Sequence, residues 1–310
     1  MMRPVAVSVV VPIHNGRHVV EAALRSVADQ TFKDFEVIVV DDGSTDGLVI
    51  SREEFPNLEI RLLRHPENRG AAAARNTGIA NSKGRWIAFL DCDDSWDPHK
   101  LERQIAVIER AGRPLLACCT GFTLERNGRV HATFVPPARE AFRDEILLGC
   151  RVSPGTTLLV DRLAFDEIGG FDESFRRLED WDWLLRYAER FDMEFVPPPL
   201  ARVNLHPANV SPPASDGDPV LAAISRLGSK HREAISSRGS TAMRRFRSAL
   251  LIEKGSRHYH LGRPCHAAAC VAAALALHPA RPPRFFGSLA RAVFARLVSI
   301  ALQRAAPSPK

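Results

Sequence analysis

The sequence predicts an α/β protein with a doubly wound, mostly parallel sheet, followed by a helical C-terminal extension. Apolar, β-branched runs of strand length recur at residues 5–11, 35–40, 58–63 and 86–90. Their near-continuous hydrophobicity fits strands buried on both faces. Helical periodicity alternates with them, in the β-α-β order of a parallel sheet with crossover helices. Three of these strands end in polar or acidic loops, which a parallel arrangement sets along one edge of the sheet.

Taken in order, residues 5–11 read as a buried strand broken by Pro12. Residues 19–28 follow as a helix with Val20, Ala23, Leu24 and Val27 on one face. The second strand, 35–40, runs into Asp41-Asp42-Gly43-Ser44. A third strand at 58–63 precedes a helix of small residues at 70–80. The strand 86–90 then delivers Asp91-Cys92-Asp93-Asp94. Beyond Leu101 the pattern changes: strands are expected at 115–124 and 156–160 and a short helix at 162–168. Gly169-Gly170-Phe171-Asp172 is a turn, and 179–190 is a helix. Pro197-Pro198-Pro199 is expected to stop regular structure. Residues 211–219 read as a linker, and the segments after it are helical by pattern. The domain plan is therefore 1–210, split into halves 1–100 and 101–210, then the linker, then a basic region 220–310.

Charge is divided unevenly. Residues 220–310 hold 16 Lys and Arg against 2 Asp and Glu, leaving 26 basic and 34 acidic residues of the totals 42 and 36 for the body. A basic tail on an acidic body suggests an anionic partner. The six cysteines lack zinc spacing and small-domain disulfide density, which fits free thiols in a reducing compartment. The apolar start alternates like a strand and carries Pro12 and His14, unlike a secretory signal. The apolar run at 267–277 is too short to span a bilayer.

The acidic cluster after the fourth strand carries the most chemistry. Carboxylates at the C-terminal end of a buried strand face the crevice where open α/β sheets bind ligands. Asp91 and Asp93, one residue apart, can turn toward one hard divalent cation, Mg²⁺ or Mn²⁺, holding a diphosphate. The competing reading is an acidic turn ahead of the periodic stretch that follows Pro98.

An ordered set of motifs resembles the family 2 glycosyltransferases. It comprises residues 7–15 with Pro12, His14 and Asn15; Gln30-Thr31; Val39-Val40-Asp41-Asp42-Gly43-Ser44; Asn68-Arg69-Gly70; Ala74-Arg75-Asn76; Phe89-Leu90-Asp91-Cys92-Asp93-Asp94; Gly169-Gly170-Phe171-Asp172-Glu173; and Glu179-Asp180-Trp181-Asp182. Each match alone is weak, and the ordered set, spanning two-thirds of the chain, is specific. The resemblance implies a GT-A fold, a nucleotide-diphospho-sugar donor (UDP- or dTDP-type), Mn²⁺ or Mg²⁺, and inverting transfer to a saccharide or lipid-linked hydroxyl acceptor. It implies that Asp42 binds the base, with Pro12 and His14 lining the nucleotide pocket. His14 stands where an aromatic is usual. It implies Asp93 as metal ligand, Asp91 at the ribose or in the metal shell, and His206 near metal and diphosphate.

Around those positions the residues argue for themselves. Arg75, about one turn into its helix, can reach a phosphate with a guanidinium fork, and Arg69 is a second candidate. Inversion requires one carboxylate opposite the leaving group to take the acceptor proton. Asp180, with Glu179 beside it at a helix start, is the expected base, since the dipole there favours the ionised form. Trp181 is expected to pin that helix and to stack on a sugar, with residues 169–178 forming part of the acceptor wall.

The segment 285–298 mixes Phe, Leu and Val with Arg and reads either as an interfacial helix on an anionic membrane surface or as a packed helical subdomain. The expected location is cytoplasmic, peripheral on the inner face of the membrane. No G-x-G-x-x-G follows the first strand, against a dinucleotide dehydrogenase. Residues 12–17 lack the glycine-rich basic loop of a sugar-nucleotide synthase. The tail lacks a nucleic-acid-binding motif, so no nucleic acid is expected. The alternatives kept are a nucleotide-binding, non-catalytic relative and an anionic-polymer-binding protein acting through the tail.

Overall fold

The computed structural model describes residues 5–51, 53–111, 116–149, 155–205 and 217–278. The chain divides into two compact units, one within Met1–Ile146 and Cys150–Asn209, the other within Leu147–Gly149 and Val210–Lys310.

The first unit is built on a nine-stranded sheet. Strand β1 (Val7–Ile13), buried along its whole length, lies between β2 (Phe35–Asp41) and β4 (Trp86–Phe89), parallel to both. Strand β3 (Ile60–Arg64) adds parallel to β2. This four-stranded parallel half accounts for the unbroken apolar runs, because both faces of its central strands are covered. The other half is mixed. Strand β8 (Leu158–Asp161) runs antiparallel to β4, and β6 (Ala117–Arg126) antiparallel to β8. Strand β9 (Glu194–Asn204) is parallel to β6, and β5 (Ser95–Trp96) closes antiparallel to β9. Strand β7 (Arg129–Phe134) returns on β6 through Asn127-Gly128, both at positive φ. That Asn-Gly pair is a tight-turn signal that marks the hairpin in the sequence.

Helix α1 (Val20–Ala28) buries Val20, Ala23, Leu24 and Val27, the face expected from its periodicity. Helix α2 (Ala71–Asn81) packs closely because its inner residues are small: a Cβ at Gly78 would run into the Val10 side chain. Helices α3 (Lys100–Arg110), α4 (Phe142–Glu145), α5 (Arg162–Ile168) and α6 (Glu179–Arg190) complete the unit.

Two proline expectations are corrected. Pro12 does not break β1; it pairs with Val40 inside the strand. Strand β4 has already ended opposite Val10, so β1 has one neighbour there, an edge position that tolerates a missing N–H. Nor do Pro197, Pro198 and Pro199 stop regular structure, since β9 runs through them. The β6–β9 register jumps from Thr120–Val196 to Gly121–Pro199, which takes Pro197 and Pro198 out of the ladder. Gly121 makes this possible: a Cβ there would lie 2.7 Å from the Pro197 carbonyl oxygen.

The second unit is helical, with α7 (Pro219–Lys230), α8 (Arg232–Ser237), α9 (Ser240–His260) and α10 (Pro264–Leu277). Asp218 caps α7, accepting from Val220 and Leu221 N–H, and its other oxygen holds Arg257 Nε at 2.7 Å. The expected linker lies outside the described residues up to position 216, and Pro219 already opens α7. His206 and the segment 285–298 also lie outside the described residues. No helix among those described is long and apolar enough to cross a membrane.

Candidate active site

The C-terminal ends of β1, β2 and β4 and the start of α6 converge on one cleft of about 510 Å³. Pro12, His14, Asp42, Arg75, Asp91, Asp93, Glu179 and Asp180 all line it, so most of the sequence-predicted residues meet there.

At one end the β2 loop is organised by its two aspartates. Asp41 is fully buried and accepts from Ser44 N–H at 2.9 Å and Arg64 Nε at 2.7 Å. Burial works against its charge, yet the Ser44 and Arg64 hydrogen bonds hold its pKa below the usual carboxylate value. Asp42 reaches into the cleft, accepting from Arg69 N–H (2.9 Å), Gly70 N–H (2.7 Å) and His65 Nδ1 (2.7 Å). It thereby fixes the chain leading into α2. His14 Nδ1 donates to the Asp42 carbonyl at 2.9 Å, so Nε2 accepts from Asn15 Nδ2 at 3.1 Å. This sets the tautomer and the ring orientation.

Arg75 lies about one turn into α2 and lines the cleft, as expected, where two carboxylates hold it. It is 4% exposed, with Nη1 on Glu179 Oε1 and Nη2 on Asp91 Oδ1, each at 2.6 Å. Burial opposes its charge, but Asp91, Glu179 and Asp180 hold the guanidinium firmly protonated. The residue clamps the end of β4 to the start of α6, and a phosphate would have to displace one of these partners. Arg69 is committed to Glu173 at 3.0 Å and does not line the cleft. Trp181 is fully buried, its indole N–H on the Ile146 carbonyl at 2.7 Å, so no sugar can stack on its ring. It pins α6, as expected of it.

The acidic loop divides its labour. Asp94 is buried, accepting from Thr156 Oγ1 and, at 2.9 Å, from Asn204 N–H. Asn204 Nδ2 also donates to the Asp93 carbonyl at 2.7 Å, and Asp91 N–H to Thr156 Oγ1 at 3.1 Å. Asp94 thus anchors the loop, while Asp91 and Asp93 face the cleft. Burial, then the charges of Asp91 and Asp93, push the Asp94 carboxyl well above the usual range. Asp91 and Asp93, the two carboxylates of this loop that face the cleft, are hard-oxygen donors of the kind Mg²⁺ or Mn²⁺ takes. Among the described residues no group of three or more His, Cys, Asp or Glu side chains is placed to hold a metal ion.

Across the cleft, Glu179 and Asp180 open α6, whose N-terminal dipole favours carboxylates. Leu178 precedes them at φ 65°, a left-handed turn that brings both into the cleft. The turn at residues 169–173 is held by side chains that sequence reading left without a role. Asn76 exchanges hydrogen bonds with Phe171 N–H (2.9 Å) and carbonyl (2.8 Å). Arg186 donates to the Ile168 and Gly170 carbonyls at 2.6 and 2.7 Å. Gly170 lets Asn76 approach this closely, since a Cβ there would lie 2.5 Å from Asn76 Oδ1 and push its side chain off the turn. Thr156 and Asn204 were likewise unmarked, since their partners lie 62 to 111 residues away in the chain.

A mostly parallel sheet joined to a mixed half, with acidic loops at one edge, is the GT-A architecture. The S. aureus TarS fragment 1–349 in complex with UDP-GlcNAc superposes with a TM-score of 0.65 at 18% identity, covering 98% of this chain and 93% of that one. The glycosyl transferase family 2 model matches residues 8–169, just over half of the chain. The chain belongs to that family. Among curated relatives, the Escherichia coli UDP-Glc:alpha-D-GlcNAc-diphosphoundecaprenol beta-1,3-glucosyltransferase WfgD is 33% identical over 153 residues, 49% of this chain and 59% of WfgD. The Erwinia amylovora amylovoran biosynthesis glycosyltransferase AmsB is 29% identical over 243 residues, 74% of each chain. The matches span about three-fifths of the length of the first curated relatives.

Proposed function

We propose that the protein is a metal-dependent, inverting glycosyltransferase. It moves a hexose from a nucleotide-diphospho-sugar, a UDP-sugar before others, to a hydroxyl of a saccharide or lipid-linked acceptor in cell-envelope polysaccharide or glycolipid synthesis. One observation carries the reading: the base-site aspartate, the two cleft-facing carboxylates after β4 and the α6 carboxylates line a single cleft. WfgD, by its name, takes UDP-Glc and a diphosphoundecaprenol-linked acceptor, which supports a lipid-linked acceptor here.

In this reading residues 1–100 hold the donor and 101–210 wall the acceptor. Pro12, His14 and the Asp42 edge receive the nucleoside. Asp93 and Asp91 would hold Mn²⁺ or Mg²⁺, which supplies charge neutralisation to the departing diphosphate. Arg75 keeps Asp91 and Glu179 at fixed positions on the two sides of the cleft. Asp180 takes the acceptor's hydroxyl proton as the acceptor oxygen bonds to the anomeric carbon and the bond to the diphosphate breaks. The nucleoside diphosphate leaves, and no glycosyl-enzyme bond forms.

The test is transfer from labelled UDP-sugars to a diphospholipid-linked or free saccharide, with product stereochemistry read by NMR. Asp180→Asn is expected to bind nucleotide as wild type does and to lose transfer by roughly 10²–10⁴-fold. Wild-type transfer rates in that variant, or retained stereochemistry, would reject the assignment.

A further inference from the structure

The helical unit carries a second cavity, of about 610 Å³, that transfer chemistry does not use. One wall is apolar, formed by Leu221, Ile224, Phe246 and Leu250. The rim is cationic: Arg232 from α8 with Arg247 and Lys254 from α9. Positions 247, 250, 254 and 258 recur at intervals of three or four, so they stand on one face of α9. Among the described residues no Asp or Glu lines the cavity, and none of these three cations has a carboxylate partner.

At the cavity wall lies His258, 7% exposed, its Nδ1 without a hydrogen-bond partner among the described residues. Its ring lies 5.3 Å from that of His266, which also lines the cavity. A buried ring nitrogen left without a partner costs free energy that a ligand oxygen or hydroxyl would recover. Burial, then His266, Lys254 and Arg263, lower its pKa, with Asp218 opposing. Cations outnumber acids among these neighbours.

We propose that this cavity binds the phosphate headgroup of an anionic lipid. The phosphate sits among Arg232, Arg247, Lys254 and the His258 ring, and the first methylenes lie against Leu221, Ile224, Phe246 and Leu250. Guanidinium and ammonium groups gathered on one rim suit phosphate oxygens, which they bind through charge-assisted hydrogen bonds. The apolar wall selects a lipid over a nucleic-acid backbone, which is polar along its length. None of this depends on the transferase reading, because the site lies wholly in the other unit and its binding needs no donor sugar.

The experiment is co-sedimentation of the full chain with vesicles of phosphatidylcholine alone and of phosphatidylcholine mixed with phosphatidylglycerol. Wild type is expected to bind the mixed vesicles only. Arg247 and Lys254 are exposed, so their glutamine variants should keep the wild-type Tm. Each of Arg247→Gln and Lys254→Gln should weaken binding about five-fold, and the pair roughly 30-fold. Arg244→Gln, an exposed charge on α9 outside the cavity, should stay near wild type. Short-chain phosphatidic acid should move the His258 ring resonances. An Arg244→Gln loss equal to that of Arg247→Gln would mean diffuse surface charge and overturn the site. Inorganic phosphate moving His258 without vesicle binding would make it a free-phosphate site and overturn the lipid. Displacement of vesicles by a duplex oligonucleotide through Arg247 would overturn it in favour of nucleic acid.

Discussion

Replacing Arg75 by Met separates two views of the cleft. As a phosphate ligand, Arg75 would be dispensable to the fold and essential to nucleotide affinity. In the structure it is a buried cation shared by Asp91 and Glu179 at 2.6 Å each, with side-chain exposures of 33% and 11% for the two carboxylates. Removing one partner of a buried pair costs about 3–5 kcal/mol, because the other charge stays behind unpaired. The Asp91 side is partly solvated, so the lower end, about 3 kcal/mol, is expected. The assay is urea unfolding of wild type, Arg75→Met, Glu179→Gln and the double variant. Arg75→Met should shift the midpoint with an unchanged slope. The double variant should be more stable than the sum of the singles predicts, by more than the roughly 0.5 kcal/mol within which independent sites add. An additive cycle, or a stable Arg75→Met that has lost only nucleotide affinity, would refute the clamp. Arg75→Lys should fall between, since an ammonium cannot fork to both carboxylates.

Other perturbations test other parts of the account. Lys100 is fully buried over the Trp96 ring, bonded to Gln104 at 2.8 Å, and burial lowers its pKa to about 7. Between that value and its unfolded pKa near 10.5 the unfolded chain binds the extra proton, so stability should rise with pH across that window, by up to about 1.4 kcal/mol per pH unit. Lys100→Met should remove the slope and be the more stable protein at pH 7; a slope surviving in the variant would assign it elsewhere. Gly78→Ala should destabilise by about 1–3 kcal/mol in thermal unfolding, because its Cβ meets Val10; an unchanged Tm would contradict the close α2–β1 packing. Asp42→Asn sets an amide N–H against the Arg69 and Gly70 N–H groups or His65, and should cost about 1–3 kcal/mol together with a loss of nucleotide affinity in titration. Unchanged affinity in a folded variant would remove Asp42 from the base site.

What the sequence made legible was local. The uninterrupted apolar runs of β1, β2 and β4 announce two-sided burial, and their acidic ends locate the cleft. Helix α6 shows its first-turn carboxylates and its buried Trp181 and Trp183 directly. Proline was misjudged twice for one reason: what it does depends on whether a neighbouring strand needs its N–H, which the pairing of β1 with β4 and of β6 with β9 decides. Arg75 hides its ion pairs for a related reason. Its partner Glu179 lies 104 residues away, and no periodicity reports such a pair. The anchoring of Asp94 by Thr156 and Asn204 is hidden in the same way. The Asn127-Gly128 pair makes the β6–β7 hairpin legible in the same local way.

The claim at the centre of the account is that the ends of β1, β2 and β4 form one metal-assisted nucleotide site. Isothermal titration and thermal shift with UDP, GDP, dTDP and CDP, each with and without Mn²⁺ or Mg²⁺, test it on wild type and Asp93→Asn. Stabilisation by one nucleotide, dependent on the cation and lost in Asp93→Asn, is predicted, reaching about 2.7 kcal/mol at 100 times Kd. A folded wild-type protein that none of the four stabilises with either cation would contradict the account.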